Sequence, residues 1–407
     1  MSVVSTAKSV LMIAYTNYAS DPRVIRAAEA TAEGGFHVDF IALRKKGDPA
    51  TETVRGVHVI HLNQERYRGG GILFYMLAYL QFFVRCFFKA SALHLRRRYS
   101  VVHVNNMPDF FVFCALLPKL LGAKVILDIH DPMPDTFASK FKGGSKSFWF
   151  KALLAQERIS AAFCDRILTV SDPLKRFIAE THGIPEHSIS VVPNFPDDRL
   201  FTLRSDFSVD GGLKLAFHGT ILERYGLQTL ILALTKVRDC RNLKVKFIGD
   251  GDFAERLKAM IVEHGLQDTV EFKNRVYPLS EIPGMLDDCN VGLVPVELHS
   301  IINYALPLKL LEYVCLGFPV ITVRSAAIGY YFSEQDCLFY NPDDPESLPK
   351  LLREISQNPE RLQRYRDRVV DIRERFAWSR QKGSYVSLLN AMSGVKTSAP
   401  QPEVVST

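Results

Sequence analysis

The 407-residue chain holds 50 Lys and Arg against 44 Asp and Glu, with 47% hydrophobic and 23% charged residues. That is the balance of a globular protein, long enough for two or three domains each with a core. Seven Cys stand singly with no C-x-x-C pair, which argues against a disulfide framework or a zinc site and for a reducing, cytoplasmic compartment.

The charge is uneven. Residues 1–200 carry 25 Lys and Arg against 18 Asp and Glu, whereas the remainder carries 25 against 26. A basic first half suggests an anionic partner, phosphate or a membrane surface. Nothing resembles a nucleic-acid motif. The early apolar run SVLMIAY is too short, and too clearly a first strand, to read as a signal peptide.

SVLMIAYT (9–16) is that strand. A loop, NYASDPRV, leads into a helix from about Arg23 to Gly34, and HVDFIAL and VHVIHL are the next strands. Strand, helix, strand opens a doubly wound sheet whose ligands bind at the carboxyl edge. Arg23, just beyond the first strand, is a candidate for an acceptor-side or donor phosphate; the alternative is simple pairing with Asp21. Residues 71–98 are the most apolar stretch, yet Arg85 and Lys89 interrupt it and strands of the same sheet bracket it. It reads as a packed helix of the sheet's outer layer. Its pairing of bases with Phe82, Phe83, Phe87 and Phe88, and the Lys around Trp149 (Lys140, Lys142, Lys146, Lys151), would suit an interfacial site on anionic lipid.

VVHVNN (101–106) is a strand ending in polar residues, with Asn105 a candidate on the acceptor side. A helix is expected from Asp109 to Leu121, and the strand AKVILDIHD ends in His130-Asp131. A His-Asp step at the carboxyl end of a central strand is a candidate catalytic pair; the alternative is a satisfied structural histidine. CDRILTVSD and ISVVPNFPD complete a first domain, 1–196, and 197–212 reads as linker. The second domain, 213–375, repeats the logic with KLAFHGT, KVKFIGDG, TVEFKNRV, CNVGLVPV and PVITV as strands. A helix is expected from Ser280 to Asp288, another over 376–392, and a disordered tail over 393–407.

The most informative stretch is Asn303 to Thr322, NYALPLKLLEYVCLGFPVIT. Pro307 suits a first helical turn, Gly317 a left-handed cap, and PVITV a buried strand. Lys309 and Glu312 sit three apart near the helix start, where unpaired N–H groups favour phosphate.

The pattern P-x-K-x-x-E-Y-x-x-x-G-x-P-V-I resembles the donor-binding signature of family 4 glycosyltransferases. The resemblance implies a GT-B fold: two Rossmann-like doubly wound domains facing across a cleft, with the last helix crossing back to the first domain. It implies transfer of a sugar, with retention, from a nucleoside-diphosphate sugar to a glycan or lipid-linked acceptor in cell-surface glycan synthesis. On that reading there is no cofactor and no metal, and the protein works in the cytoplasm or on the cytoplasmic membrane face. Donor-binding residues carried by the resemblance are Gly219, Thr220, Arg224, Gly249, Asp250, Arg275, Asn303, Tyr304, Lys309 and Glu312. His130 and Asp131 would lie at the sugar. Departures are visible. Thr220 and Tyr225 stand where family members carry Arg and Lys, leaving Arg224 as the nearest base. Tyr304 stands where a second Glu is usual, and Glu297 is out of register for it.

Rival readings of GDGDFA are a dinucleotide turn, disfavoured because the next strand ends in Lys273-Asn274-Arg275, and a metal-binding Asp250-x-Asp252. Function classes left beside transfer are sugar-nucleotide epimerisation and silent nucleotide-sugar binding.

Overall fold

The computed structural model describes residues 8–67, 69, 71–134, 136, 147–240, 242–298 and 303–394. Lys140, Phe141, Lys142 and Lys146 of the expected basic–aromatic loop, and the tail beyond residue 394, lie outside the described residues. The chain divides into two compact units. One runs to Pro193 and includes the chain again from Lys382; the other is Asn194–Gln381.

Unit 1 has strands β1 (Ser9–Ile13), β2 (His37–Leu43), β3 (Thr51–Val54), β4 (Val57–Leu62), β5 (Val101–Asn105), β6 (Lys124–Asp128), β7 (Arg166–Thr169) and β8 (Ile189–Val191). They form one sheet in the order β3-β4-β2-β1-β5-β6-β7-β8. All neighbours are parallel except β3, which pairs antiparallel with β4. Reading the sequence misses β3, although its turn is written there. Arg55 and Gly56 both take positive φ, 47° and 83°, as a two-residue hairpin between twisted strands requires. Unit 1 also holds helices α1 (Pro22–Glu33), α2 (Ile72–Arg97), α3 (Leu116–Leu120), α4 (Phe148–Phe163) and α5 (Asp172–His182).

The single helix expected over 109–121 is two pieces: a 3₁₀ segment, Asp109–Ala115, and then α3. Pro118 lacks an N–H and fits only a first turn, so the α-helix has to start just before it. α2 packs by a seam in which Phe82, Cys86 and Ala90 are fully buried. The Phe82 ring meets Tyr15 at 5.1 Å and Phe111 at 4.9 Å, edge-on and tilted contacts that add to the apolar burial.

Unit 2 is a six-stranded, wholly parallel sheet in the order β11-β10-β9-β12-β13-β14. Its strands are β9 (Leu213–His218), β10 (Leu243–Gly249), β11 (Val270–Asn274), β12 (Val291–Val294), β13 (Val320–Val323) and β14 (Leu338–Tyr340). The helices are α6 (Leu227–Lys236), α7 (Ala254–Glu263), α8 (Ile282–Met285), α9 (Leu308–Leu316), α10 (Ala326–Tyr331), α11 (Ser347–Gln357) and α12 (Arg361–Ile372); α13 (Trp378–Met392) ends the described chain. The helix expected over 280–288 shrinks to a 3₁₀ turn and the one-turn α8, because Pro283 and Gly284 interrupt it.

Residues 197–212, expected as linker, are part of unit 2. Phe201 is fully buried and stacks on the His218 ring, and Asn290 donates to the carbonyls of Ser208 and Gly212. From Lys382 onward α13 belongs to unit 1, where Tyr385 is buried and its hydroxyl lies 2.8 Å from His103 Nδ1.

Candidate functional site

At the carboxyl edge of the unit 2 sheet the loops after β9 and β10 are hydrogen-bonded to each other. Gly219 N donates to Ile248 O, Ile221 N to Asp250 O, and Phe253 N to Ile221 O. The approach is too close for side chains. A Cβ on Gly249 would sit 1.9 Å from Gly219 O, and Gly249 has φ 147°. Two glycines at the ends of adjacent parallel strands thus bare a short shelf of backbone, as ligand-binding edges of such sheets do.

α9 begins beside that shelf. Leu310, Leu311 and Val314 are fully buried, which fixes its roll, and Gly317 closes it in the left-handed region at φ 79°. Tyr313, also buried, donates its hydroxyl to Ala216 O at 2.7 Å and accepts from His218 N at 3.2 Å, pinning α9 to β9. Its ring occupies the space above Gly292 on β12, where a Cβ would lie 2.4 Å from the ring.

The roll sends Lys309 toward the shelf. Its Nζ lies 3.8 Å from the Phe217 ring centroid, 4.3 Å from that of Tyr225, and 3.6 Å from where a Gly219 Cβ would stand. Aromatic faces stabilise the ammonium, but loss of water dominates and lowers the Lys309 pKa to about 7, against the pull of Glu312. One turn on, Glu312 is buried, with Oε2 3.2 Å from His218 Nε2. Burial, and then Lys309, push His218 down to about 3, so its imidazole is neutral.

Arg224 lies in the turn Glu223–Tyr225, stacked 5.7 Å from the Tyr225 ring, with its buried Nε lacking a hydrogen-bond partner among the described residues. Glu297, in the loop after β12, braces this turn. Its N–H donates to Arg224 O, and its carboxylate accepts from Gln228 Nε2. The sequence spacing hid Glu297, since the contact runs between two loops far apart in the chain.

Thr220 and Asp250 are exposed beside the glycines, and Asp250 accepts from Gly251 N. Arg275 is exposed beyond β11 against Tyr277. Asn303 accepts from Ala326 N at 2.7 Å, tying the loop before α9 to the start of α10, and Tyr304 is partly buried next to it.

Unit 1 presents a different cluster. Arg23 does not face solvent as a phosphate ligand would. It is 8% exposed and donates Nε and Nη2 to the two oxygens of Asp128, each at 2.8 Å, and Nη1 to Val192 O at 2.9 Å. Asp21, its other candidate partner, caps α1 by accepting from the Arg23 and Val24 N–H groups. Burial alone would raise the Asp128 pKa, but Arg23, with His103 and His130 near by, holds it well below the usual carboxylate range.

Asn105 is buried at the end of β5 and donates to Ile13 O at 3.3 Å, so it too is turned inward. His130 Nδ1 is 3.9 Å from Asp128, too far for a hydrogen bond. Burial would depress this imidazole, yet Asp128 and Asp131 outweigh it and raise its pKa. The His130 backbone is held by Asn106, which accepts from its N–H and donates to Asp131 O. Asp131 itself is exposed.

Chemically, the unit 2 edge offers two cations, bare N–H groups and a buried carboxylate to a ligand that is anionic at one end and hydroxylated at the other. Comparisons with known proteins place the fold. Sucrose-phosphate synthase from Thermosynechococcus elongatus superposes with a TM-score of 0.76 at 17% identity, covering 95% of this chain and 99% of that one. Anabaena HepE, in complex with UDP and glucose, gives 0.71 at 14% identity, covering 94% and 100%. The paired parallel sheets define the class as the two-Rossmann GT-B fold.

Two sequence families match in succession, "Glycosyltransferase Family 4" over residues 23–200 and "Glycosyl transferases group 1" over 202–369. The chain belongs to the family 4 glycosyltransferases. A curated relative, the O-antigen chain mannosyltransferase RfbU of Salmonella typhimurium, is 24% identical over 246 residues. That match spans 60% of this chain and 64% of the relative, just under two thirds of its length.

Proposed function

We propose that the chain transfers a glycosyl group from a nucleoside-diphosphate sugar to an acceptor hydroxyl, with retention and without a metal, in the synthesis of a surface glycan. The observation that carries this is the pair Lys309 and Glu312 on the first turns of α9. Lys309 sits between aromatic rings beside the glycine shelf, and Glu312 is buried one turn further on.

The diphosphate lies on the shelf and the α9 N-terminus, against Lys309 and Arg224, and the ribose hydroxyls meet Glu312. Thr220, Gly249, Asp250, Arg275, Asn303 and Tyr304 line the same donor. As the bond from the anomeric carbon to the phosphate oxygen breaks, negative charge grows on the diphosphate, and the two bases stabilise it. The acceptor oxygen bonds to the anomeric carbon and its proton passes to the departing phosphate oxygen, with Asp131 as the alternative base. His130 serves the sugar end. Arg23 holds the acceptor-side loop through Asp128 rather than touching a ligand, and Asn105 supports the same edge.

Uridine nucleotides head the test panel because the HepE structure holds UDP, and a mannose nucleotide follows because RfbU is a mannosyltransferase. Thermal shift with nucleoside diphosphates and their sugars finds the donor, since a ligand of the folded state raises its melting temperature. Incubation with the donor and candidate acceptors then separates transfer from epimerised donor or binding alone. NMR of the product reads the configuration. Activity lost to EDTA and restored by Mn²⁺ would refute the metal-free mechanism.

A further inference from the structure

Among the described residues, the outer face of α2 has no partner within unit 1. Leu73, Leu77, Leu80, Val84, Phe88 and Leu95 follow one another at steps of four, three or seven along one helical stripe. They are 65, 51, 53, 44, 66 and 55% exposed. At 1.5 Å per residue the stripe is about 33 Å long. α3, which packs beside α2, widens it with Leu120, 75% exposed, and the exposed Leu116 and Leu121. Monomeric soluble proteins rarely expose an apolar patch this large without a use for it.

Charge complementarity says what covers it. α2 has no acidic residue from end to end. Arg85 and Lys89 lie on one side of the helix, between the stripe and the buried seam, and Arg96, Arg97 and Arg98 end it. Arg97 pairs with Asp39 at 3.0 Å, whereas among the described residues Lys89, Arg96 and Arg98 have no acidic partner. A second copy packed on this stripe about a two-fold axis would set these bases against their own mates. Crossing a bilayer would strip Phe82, Cys86 and Ala90 from the sheet and leave Arg85 and Lys89 in hydrocarbon.

We propose that α2 lies flat on an anionic lipid surface, with its outer stripe in the headgroup boundary and its bases on the lipid phosphates. The proposal is independent of the reaction proposed above.

The test is flotation of the full chain with vesicles of phosphatidylcholine alone, or with about a third phosphatidylglycerol, at low and high salt. The wild type floats with anionic vesicles at low salt and is released by high salt. Lys89→Ala weakens partition about fivefold, as expected for one base at such a surface. The double variant Leu80→Asp/Phe88→Asp abolishes flotation. Val262→Asp, at an equally exposed apolar site of unit 2 (61%), does not. All these positions are exposed, so the variants keep the wild-type melting temperature. The proposal falls if the wild type does not float at low salt, or if the Asp double variant floats as well as the wild type. It falls equally if that variant turns a dimer into a monomer while neither form binds vesicles.

Discussion

Both units place a cation at the carboxyl edge of a parallel sheet, and the two cations are treated in opposite ways. In unit 1 Arg23 meets both Asp128 oxygens and the Val192 carbonyl, so each of its three nitrogens already donates within the fold. In unit 2 Lys309 is wedged between rings with its pKa lowered to about 7, and Arg224 keeps a buried Nε without a bond among the described residues. A satisfied charge holds a fold; an under-satisfied one waits for something to bind. Proximity to a sheet edge therefore does not by itself mark a ligand-binding base.

Breaking the satisfied pair should have the largest effect. Asp128→Asn leaves the Arg23 guanidinium buried and uncompensated, and should cost about 3–5 kcal/mol of unit 1 stability. Urea unfolding would show it. The double replacement Arg23→Met/Asp128→Leu should recover most of that loss, because removing both charges removes the unpaired one.

In unit 2 the losses should fall on binding. Glu312→Ala should weaken donor and free nucleoside diphosphate together by roughly 1.5–3 kcal/mol, read by calorimetry. If it binds as well as wild type, the ribose assignment is wrong. Lys309→Met should weaken the diphosphate by a similar or smaller amount while raising the melting temperature of the ligand-free protein. It keeps most of the apolar stem and removes a charge held at a desolvated position.

The smallest effect sharpens the contrast through pH. Lys309 has a folded pKa of about 7 against an ordinary 10.5. The unfolded chain binds more protons between those values, so this group makes stability rise with pH across that window. Nucleotide affinity should move the other way. Above about pH 7 the ammonium fraction falls, and affinity should drop by up to about tenfold per unit. Lys309→Met should remove this component from both pH profiles.

Apart from β3, the strands of both sheets are legible in their apolar runs, and the glycine shelf beside α9 in P-x-K-x-x-E-Y and its glycines. Local chemistry writes those features: caps, turns and periodicity are short-range. What escaped depends on contacts between distant segments. In the sequence Asp128 is only part of a strand, because its partner Arg23 is 105 positions away. No local pattern shows that Glu297 braces Arg224 from another loop. The linker expected at 197–212 folds into unit 2 because Phe201 finds the His218 ring, a meeting that no local pattern announces. β3 is the exception, because its signal is local: Arg55-Gly56 between TETV and VHVIHL is a hairpin turn.

Tyr313 and Gly292 carry a consequence for how such chains can diverge. The ring fills the volume that any side chain at 292 would need, at 2.4 Å, and its hydroxyl ties α9 to β9. A lineage cannot acquire even alanine at 292 while the tyrosine stays, and losing the tyrosine first unfastens the helix that carries Lys309 and Glu312. The two positions form a ratchet in which either first step is penalised. Ala at 292 should therefore be tolerated only in a background such as Tyr313→Ala, where the site has already lost its anchor.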